Sequence, residues 1–209
     1  MSRHDDLPKG ALSGRLFIMW VGEGGSAGSG KFVYVPDKTS PLTFRWPKEE
    51  AEGKSWVVQP RMMYTDGGSI PRIAQVFKGM DPWSYGPAYV IHDWIYNARY
   101  CNRDGVASGA DASLEAMDFE TSGKILRAAI NALMETGRVK QADVAPDLIT
   151  AAVSSPIARR LWNQDGACRD REVTPEHRRE AEAALFDQAA PMARRKSRPA
   201  ARIIASYDF

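Results

Sequence analysis

The chain changes character once along its length, and that change dictates what it can fold into. Before residue 65 its apolar residues come in short runs rich in β-branched and aromatic types: GRLFIMWV (14–21), FVYVP (32–36), PLTFRW (41–46) and SWVVQPRMMY (55–64). Runs of this length and make-up form strands. The Gly/Ser-rich GEGGSAGSGK (22–31) joins the first two as a hairpin. Pro60 places an edge or a bulge in the fourth. From TDGGSIPR (65–72) onward the spacing becomes helical. Strands first and helices second predict an α+β fold, a β-rich part packed on a helical part.

The helical part divides at its own punctuation. PWSYGPAYVIHDWIYNARY (82–100) contains a helix that opens near Gly86–Pro87, because proline is tolerated in a first turn. NRDGVASG (102–109) is a loop. ADASLEAMDFETSGKILRAAINALMETG (110–137) reads as one long helix weakened at Gly123 and stopped at Gly137, with Leu114, Met117, Ile125, Ala129 and Leu133 near helical spacing. APDLITAAVSSPIARRLWNQ (145–164) gives one or two shorter helices around Pro156. VTPEHRREAEAALFDQ (173–188) is a helix with Thr174 at its N-cap and Pro175 at N1. The final ARIIASYDF either adds a short strand or docks on the surface.

Size and charge bound the function classes. A chain of 209 residues with 44% hydrophobic residues suits one domain with its own core. The expected organisation is a flexible leader over 1–14, one α+β domain over 15–190 and a basic C-terminal tail over 191–209. A net charge of +2 gives no strong nucleic-acid signal. The run MARRKSRPAAR (192–202) reads as a solvated or partner-facing arm, with nucleic acid or anionic lipid as its other use. No apolar stretch is long enough for a transmembrane segment, and MSRHDDLPKG lacks the apolar region of a secretory signal peptide. The two cysteines, Cys101 and Cys168, give no disulfide framework and no zinc spacing, so a reducing compartment or indifference to redox is expected.

Two motifs invite a chemical reading and one of them fails. Gly25, Gly30 and Lys31 satisfy G-x-x-x-x-G-K, but Phe32 stands where a P-loop needs a hydroxyl for magnesium. The other is AYVIHDWIYNARY (88–100), which sets one of only three histidines beside an aspartate in the most apolar segment. His92 and Tyr96 share a helical face, and Asp93 lies about 100° around the axis. Sites needing several histidines are excluded, because His4 lies in the leader and His177 in a distal helix. A single histidine with carboxylates can still activate water beside a hard cation held by oxygen ligands. Asp111 is then the candidate second carboxylate, with Glu115 and Asp118 poorer ones. Upstream, Asp66, Gly67, Gly68 and Ser69 make either an oxygen-rich loop at such a site or a capped turn between strand and helix.

The pattern H-D-x-x-Y followed by A-D resembles the catalytic core of phospholipases A2, in the compact form found in parvovirus capsid proteins. The resemblance covers residues 86 to 117. It implies His92 as general base, Asp93 as a calcium ligand, and Tyr96 and Asp111 as the residues that orient the histidine. It also implies a lipid or other ester substrate, with calcium as cofactor. The usual glycine-rich calcium loop is displaced: SYGPAY is too close to His92 and TDGGSIP lies about 25 residues upstream. Either the loop, with Asp66 as ligand, is built differently or calcium binding is absent.

A second resemblance runs from about residue 55 to 120. VVQP, TDGGSIPR, AYVIHDWIY and GADASLEAM, in that order, are similar to an uncharacterised family of small phage and prophage proteins marked by T-D-G-x-S-I-P-R and H-D-W-L-Y. It implies a viral origin, hence the host cytoplasm or the virion, and no particular activity. Two functions stay open. One is a phospholipase A2-like hydrolase. The other is a non-catalytic phage protein, a virion or assembly component or an inhibitor of a host defence, with a phage or host protein as partner and His92–Asp93 as a structural polar pair. Trp83, Tyr85 and Trp94 are either a rim for a lipid chain or plain core.

Overall fold

The computed structural model describes residues 10–22, 30–46, 53–65, 83–107, 109–137, 153–165, 168, 172–189 and 201–209. The described part is α+β as the sequence predicts, with two antiparallel sheets and four α-helices.

The larger sheet is built on β2 (Arg15–Val21), which pairs with β3 (Lys31–Pro36) in the expected hairpin, from Leu16↔Pro36 to Val21↔Lys31. On its other side β2 pairs with β7 (Arg202–Asp208), and β6 (Met63–Tyr64) extends the sheet beyond β3. The strand order is β6-β3-β2-β7. Both faces are covered, which explains why β2 reads as a nearly continuous apolar run. Leu16, Ile18 and Tyr34 enter the main core, whereas Met19, Val21, Val33 and Val35 enter a second core with Ala181 and Ala184. The smaller sheet has the order β1-β4-β5, from β1 (Ala11–Ser13), β4 (Thr43–Trp46) and β5 (Trp56–Val58). The chain passes from β1 to β2 at Gly14, whose φ is +89°. A Cβ there would stand 2.2 Å from the Pro41 carbonyl oxygen, so only glycine fits this corner.

Helix α1 (Gly86–Arg103) opens with Pro87 in its first turn and is buried on nearly every side. It packs along α2 (Phe119–Glu135), and α2 also meets β1 and β4 of the smaller sheet. Helix α3 (Pro156–Trp162) is capped by Ser155, whose hydroxyl accepts from the Ala158 N–H at 3.2 Å. Helix α4 (Pro175–Ala189) covers the second face of the larger sheet. Its cap is Thr174, which accepts from the His177 N–H at 3.4 Å.

Several expectations need correction. The long helix over 110–137 is two elements, a 3-10 helix (Gly109–Leu114) and then α2. The break has a local cause: the Asp118 carboxylate accepts from the Thr121 N–H at 2.7 Å and starts a new helix there. Gly123 lies inside α2, and Gly137 (φ +69°) follows its end as expected. The strand read over 55–64 is broken around Pro60 into β5 and β6, which belong to different sheets. The leader read over 1–14 contains β1, whereas ARIIASYDF takes the strand alternative offered for it and forms β7, where Arg15 Nε donates to Asp208 at 3.0 Å. Cys101 and Cys168 are joined in a disulfide across 67 residues, with Cα atoms 4.8 Å apart. Their distance in sequence hides the pairing, because it is the fold that brings the two backbones together.

Candidate functional site

Helix α1 carries the site, and each of its stripes meets a different neighbour. His92, Tyr96, Arg99 and Tyr100 fall at i, i+4, i+7 and i+8 and form one stripe toward α3. The His92 and Tyr96 rings lie 5.0 Å apart, and Tyr96 packs edge-on against Trp162 at 5.1 Å. Tyr96 and Tyr100 donate their hydroxyls to the carbonyls of Ala158 and Leu161, at 3.3 and 2.9 Å. A second stripe, with Asp93 and Asn97, faces the end of the β-rich part. The Thr65 hydroxyl donates to Asp93 Oδ2 at 2.8 Å, and the Asn97 amide donates to the Met63 sulfur at 3.1 Å. A third stripe, with Trp94 and Asn102, faces the 3-10 helix.

His92 is nearly buried, and among the described residues no hydrogen bond satisfies its Nε2. Burial pushes the imidazole down to about 4, so the ring is neutral near pH 7. An unsatisfied buried ring nitrogen is unusual, because native structures pair the large majority of such atoms. Asp93 is half-buried. Together with burial and the neighbouring Tyr85, its charge holds the Tyr89 hydroxyl above its ordinary range.

Asp111 does not lie where the resemblance to phospholipases would put it. One carboxylate oxygen accepts from the Trp94 indole N–H at 3.0 Å, and the other accepts from the Arg61 guanidinium. The Asp111 backbone carbonyl accepts from Asn102 Nδ2 at 2.9 Å. Arg61 also lies over the Trp94 ring, 5.1 Å from its centroid. The helix pair does bring Asp111 back to α1, but to the Trp94 stripe, which is turned away from His92. Of the two poorer candidates, Asp118 is the exposed cap of α2 and Glu115 is exposed.

Of the residues singled out from sequence, the fold thus joins His92 with Tyr96 and sets Asp93 on the adjoining stripe. Asp66, Gly67, Gly68 and Ser69 lie outside the described residues. Trp83, Tyr85 and Trp94 are buried core side chains. Sequence reasoning missed Arg61, Thr65 and the indole of Trp94. A signal existed for the last: a buried Trp N–H needs an acceptor, and Asp111 is a nearby carboxylate in an otherwise apolar stretch. Among the described residues no group of three His, Cys, Asp or Glu side chains could hold a metal ion. Of the two carboxylates read as calcium ligands, Asp93 alone lies among the described residues. Among the described residues no helix is long and apolar enough to cross a membrane.

With this geometry in hand, comparison with known families gives one match. Residues 41–142 match the family described as Protein of unknown function (DUF1353). The DUF1353-like stretch runs from the loop before β4 to beyond the end of α2. It contains Arg61, Thr65, His92, Asp93, Tyr96 and Asp111, but not the α3 residues that meet Tyr96 and Tyr100. The hairpin of β2 and β3, helices α3 and α4, and β7 lie outside it. No curated protein and no solved structure matches the chain.

Proposed function

We propose that the chain is a hydrolase of phage type in which His92 takes a proton from the attacking water, as the histidine of phospholipases A2 does. The observation that carries this reading is the buried, unpartnered Nε2 of His92 on a ring that is neutral near pH 7. A general base must be unprotonated and must carry a lone pair that no neighbouring donor holds. Tyr96 holds the ring from the same face. Asp93 adds a half-exposed carboxylate one residue away, and its partner Thr65 leads directly into Asp66 and the two glycines. If calcium is the cofactor, Asp93 and Asp66 are its carboxylate ligands, and the ion supplies stabilisation of the oxyanion. The reading departs from phospholipases in one respect: Asp111 is committed to Arg61 and Trp94 and leaves the imidazole without a carboxylate partner among the described residues.

That same departure favours a second reading, a non-catalytic virion or assembly component or an inhibitor of a host defence. In it the Arg61–Asp111–Trp94 knot serves to lock the β-rich part onto α1. The two readings separate in a fatty-acid release assay on mixed phospholipid vesicles, run with added calcium and with a chelator. The hydrolase reading expects release above the buffer rate in at least one arm. No release in either arm, from protein shown to be folded, leaves the non-catalytic reading.

A further inference from the structure

Arg15, Arg61, Arg103 and Arg159 are exposed, and each meets a carboxylate. Arg15 takes Asp208 and Asp37, Arg61 takes Asp111, Arg103 takes Asp165 and Arg159 takes Glu120. Arg99 on α1 reverses this order. It is half-buried, yet among the described residues no carboxylate pairs with it. Its guanidinium lies over the Trp162 ring, 5.2 Å from the centroid, and its Nε is buried without an acceptor. The ring beneath it is fixed, because Trp162 is buried and packs edge-on against Tyr96 at 5.1 Å and Phe119 at 6.0 Å. A charge taken partly out of water costs stability unless a partner compensates it. An aromatic ring does not replace that partner elsewhere in this chain: Arg159 lies over Phe119 at 4.5 Å and still holds Glu120 at 3.5 Å. What Arg99 lacks is an anionic oxygen.

Of the three guanidinium nitrogens only Nε is shut off from solvent in this way, so the two terminal nitrogens form the edge that a ligand reaches. We propose that this edge is an anion site: Arg99, held over Trp162, binds a phosphate-type oxyanion with Arg103 one turn further along the helix. A guanidinium is a planar fork whose paired N–H groups meet two oxygens of one anion. Arg103, at i+4, adds a second positive charge beside the first. Its pair with Asp165 is exposed and weak, so it yields to a competing anion at little cost. Two forks suit a phosphate better than a carboxylate, because phosphate offers more acceptor oxygens and, as a monoester, more charge. The Tyr96 and Tyr100 hydroxyls are spent on the carbonyls of Ala158 and Leu161, which leaves the recognition to the arginines. The phosphate comes from one of two sources, a free phosphate or the diester of a lipid headgroup. Arg99 follows His92 by seven residues on the same stripe, about 10 Å along the helix axis. The use of the site as an anchor for a phosphate-bearing ester rests on the hydrolase reading; the binding of phosphate does not.

Isothermal titration calorimetry of the full chain, at constant pH and ionic strength, tests the site with three ligands. Orthophosphate stands for the free source, dimethyl phosphate for the headgroup diester, and acetate for a carboxylate. Arg99→Met keeps an apolar stem over Trp162 and removes the fork. Arg99→Lys keeps the charge without the planar fork, and it carries the test if the methionine variant does not fold. Arg160→Met, at an exposed arginine of α3, is the control. Circular dichroism confirms that each variant used is folded. At least one phosphate ligand should bind saturably and more tightly than acetate. Arg99→Met should weaken that binding about tenfold or more and Arg99→Lys about threefold or more, as expected when a charge-assisted contact is lost, with less than about a twofold change in Arg160→Met. Tighter binding of orthophosphate supports the site with a free phosphate as its source, and tighter binding of dimethyl phosphate supports it with a lipid-type diester. The inference is overturned if neither phosphate ligand saturates the protein or if acetate binds as tightly. It is equally overturned if the Arg99 variants bind like wild type or lose no more than Arg160→Met. No carboxylic ester enters the measurement, so its failure and the failure of the hydrolase reading are distinguishable.

Discussion

Trp94 and Asp111 are joined inside the core by an indole N–H that donates to a carboxylate oxygen at 3.0 Å, across 17 residues of chain. The second carboxylate oxygen belongs to Arg61, whose own side chain is 61% exposed. The buried half of this knot should therefore matter more than the exposed half. Asp111→Ala leaves the indole unsatisfied and should lower stability by about 2 to 3 kcal/mol. Arg61→Ala should lower it by about 1 kcal/mol or less, because solvent replaces an exposed guanidinium. Urea midpoints of the two variants check the order; an Arg61 variant as damaged as the Asp111 variant contradicts it.

The buried His92 makes stability depend on pH in a defined direction. Burial lowers its folded-state value from 6.5 to about 4, so between these limits the unfolded chain binds more protons than the folded one. Stability is then full above about pH 6.5 and falls as the pH drops toward 4, by about 3 kcal/mol over the whole window. His92→Phe removes the proton-binding site. The difference in urea midpoint between wild type and this variant should change steadily from pH 7 to pH 4.5, against the wild type. A difference that is constant with pH would show a ring that titrates normally.

The disulfide closes a loop of 67 residues. Its loss frees the unfolded chain and should lower stability by about 4 kcal/mol. In a chain of this size that corresponds to a fall of roughly 10 °C in the melting temperature. Thermal scans with and without reductant measure it, and superimposable scans would mean that the bond adds nothing.

Strand β7 completes the larger sheet along β2, and the Tyr207 hydroxyl donates to the Trp83 carbonyl just before α1. Removing residues 201–209 bares the edge of β2, a long apolar strand. Exposed edges of this kind pair with other chains. The truncated protein should form oligomers or aggregates in size-exclusion chromatography, whereas Tyr207→Phe should remain in the wild-type state. A truncated chain that elutes like wild type contradicts the role given to β7.

The parts of this molecule that sequence makes legible are those decided within a few residues. The hairpin follows from the β-branched runs on either side of a glycine loop, and Pro87, Pro156 with Ser155, Thr174 and Gly137 mark helix ends by local backbone chemistry. What was illegible was decided across the chain. Asp111 could be matched to His92 from chain order alone, yet a carboxylate bonds whichever donor the fold brings closest, and Arg61 arrives from 50 residues upstream. Cys101 and Cys168 illustrate the same point, since the return of the chain past α3 is not written in either cysteine's neighbourhood. The split of the helix at Asp118 is intermediate: a capping aspartate inside an apolar pattern was visible, but the periodicity on both sides concealed it.

The role of His92 is tested by fatty-acid release from phospholipid vesicles at pH 7 by wild type and by His92→Ala, each confirmed folded by circular dichroism. The variant should lose about a hundredfold or more of the wild-type rate, as expected when a general base is removed. Equal release from the two proteins, at background or above it, would show that His92 is not a general base for this reaction.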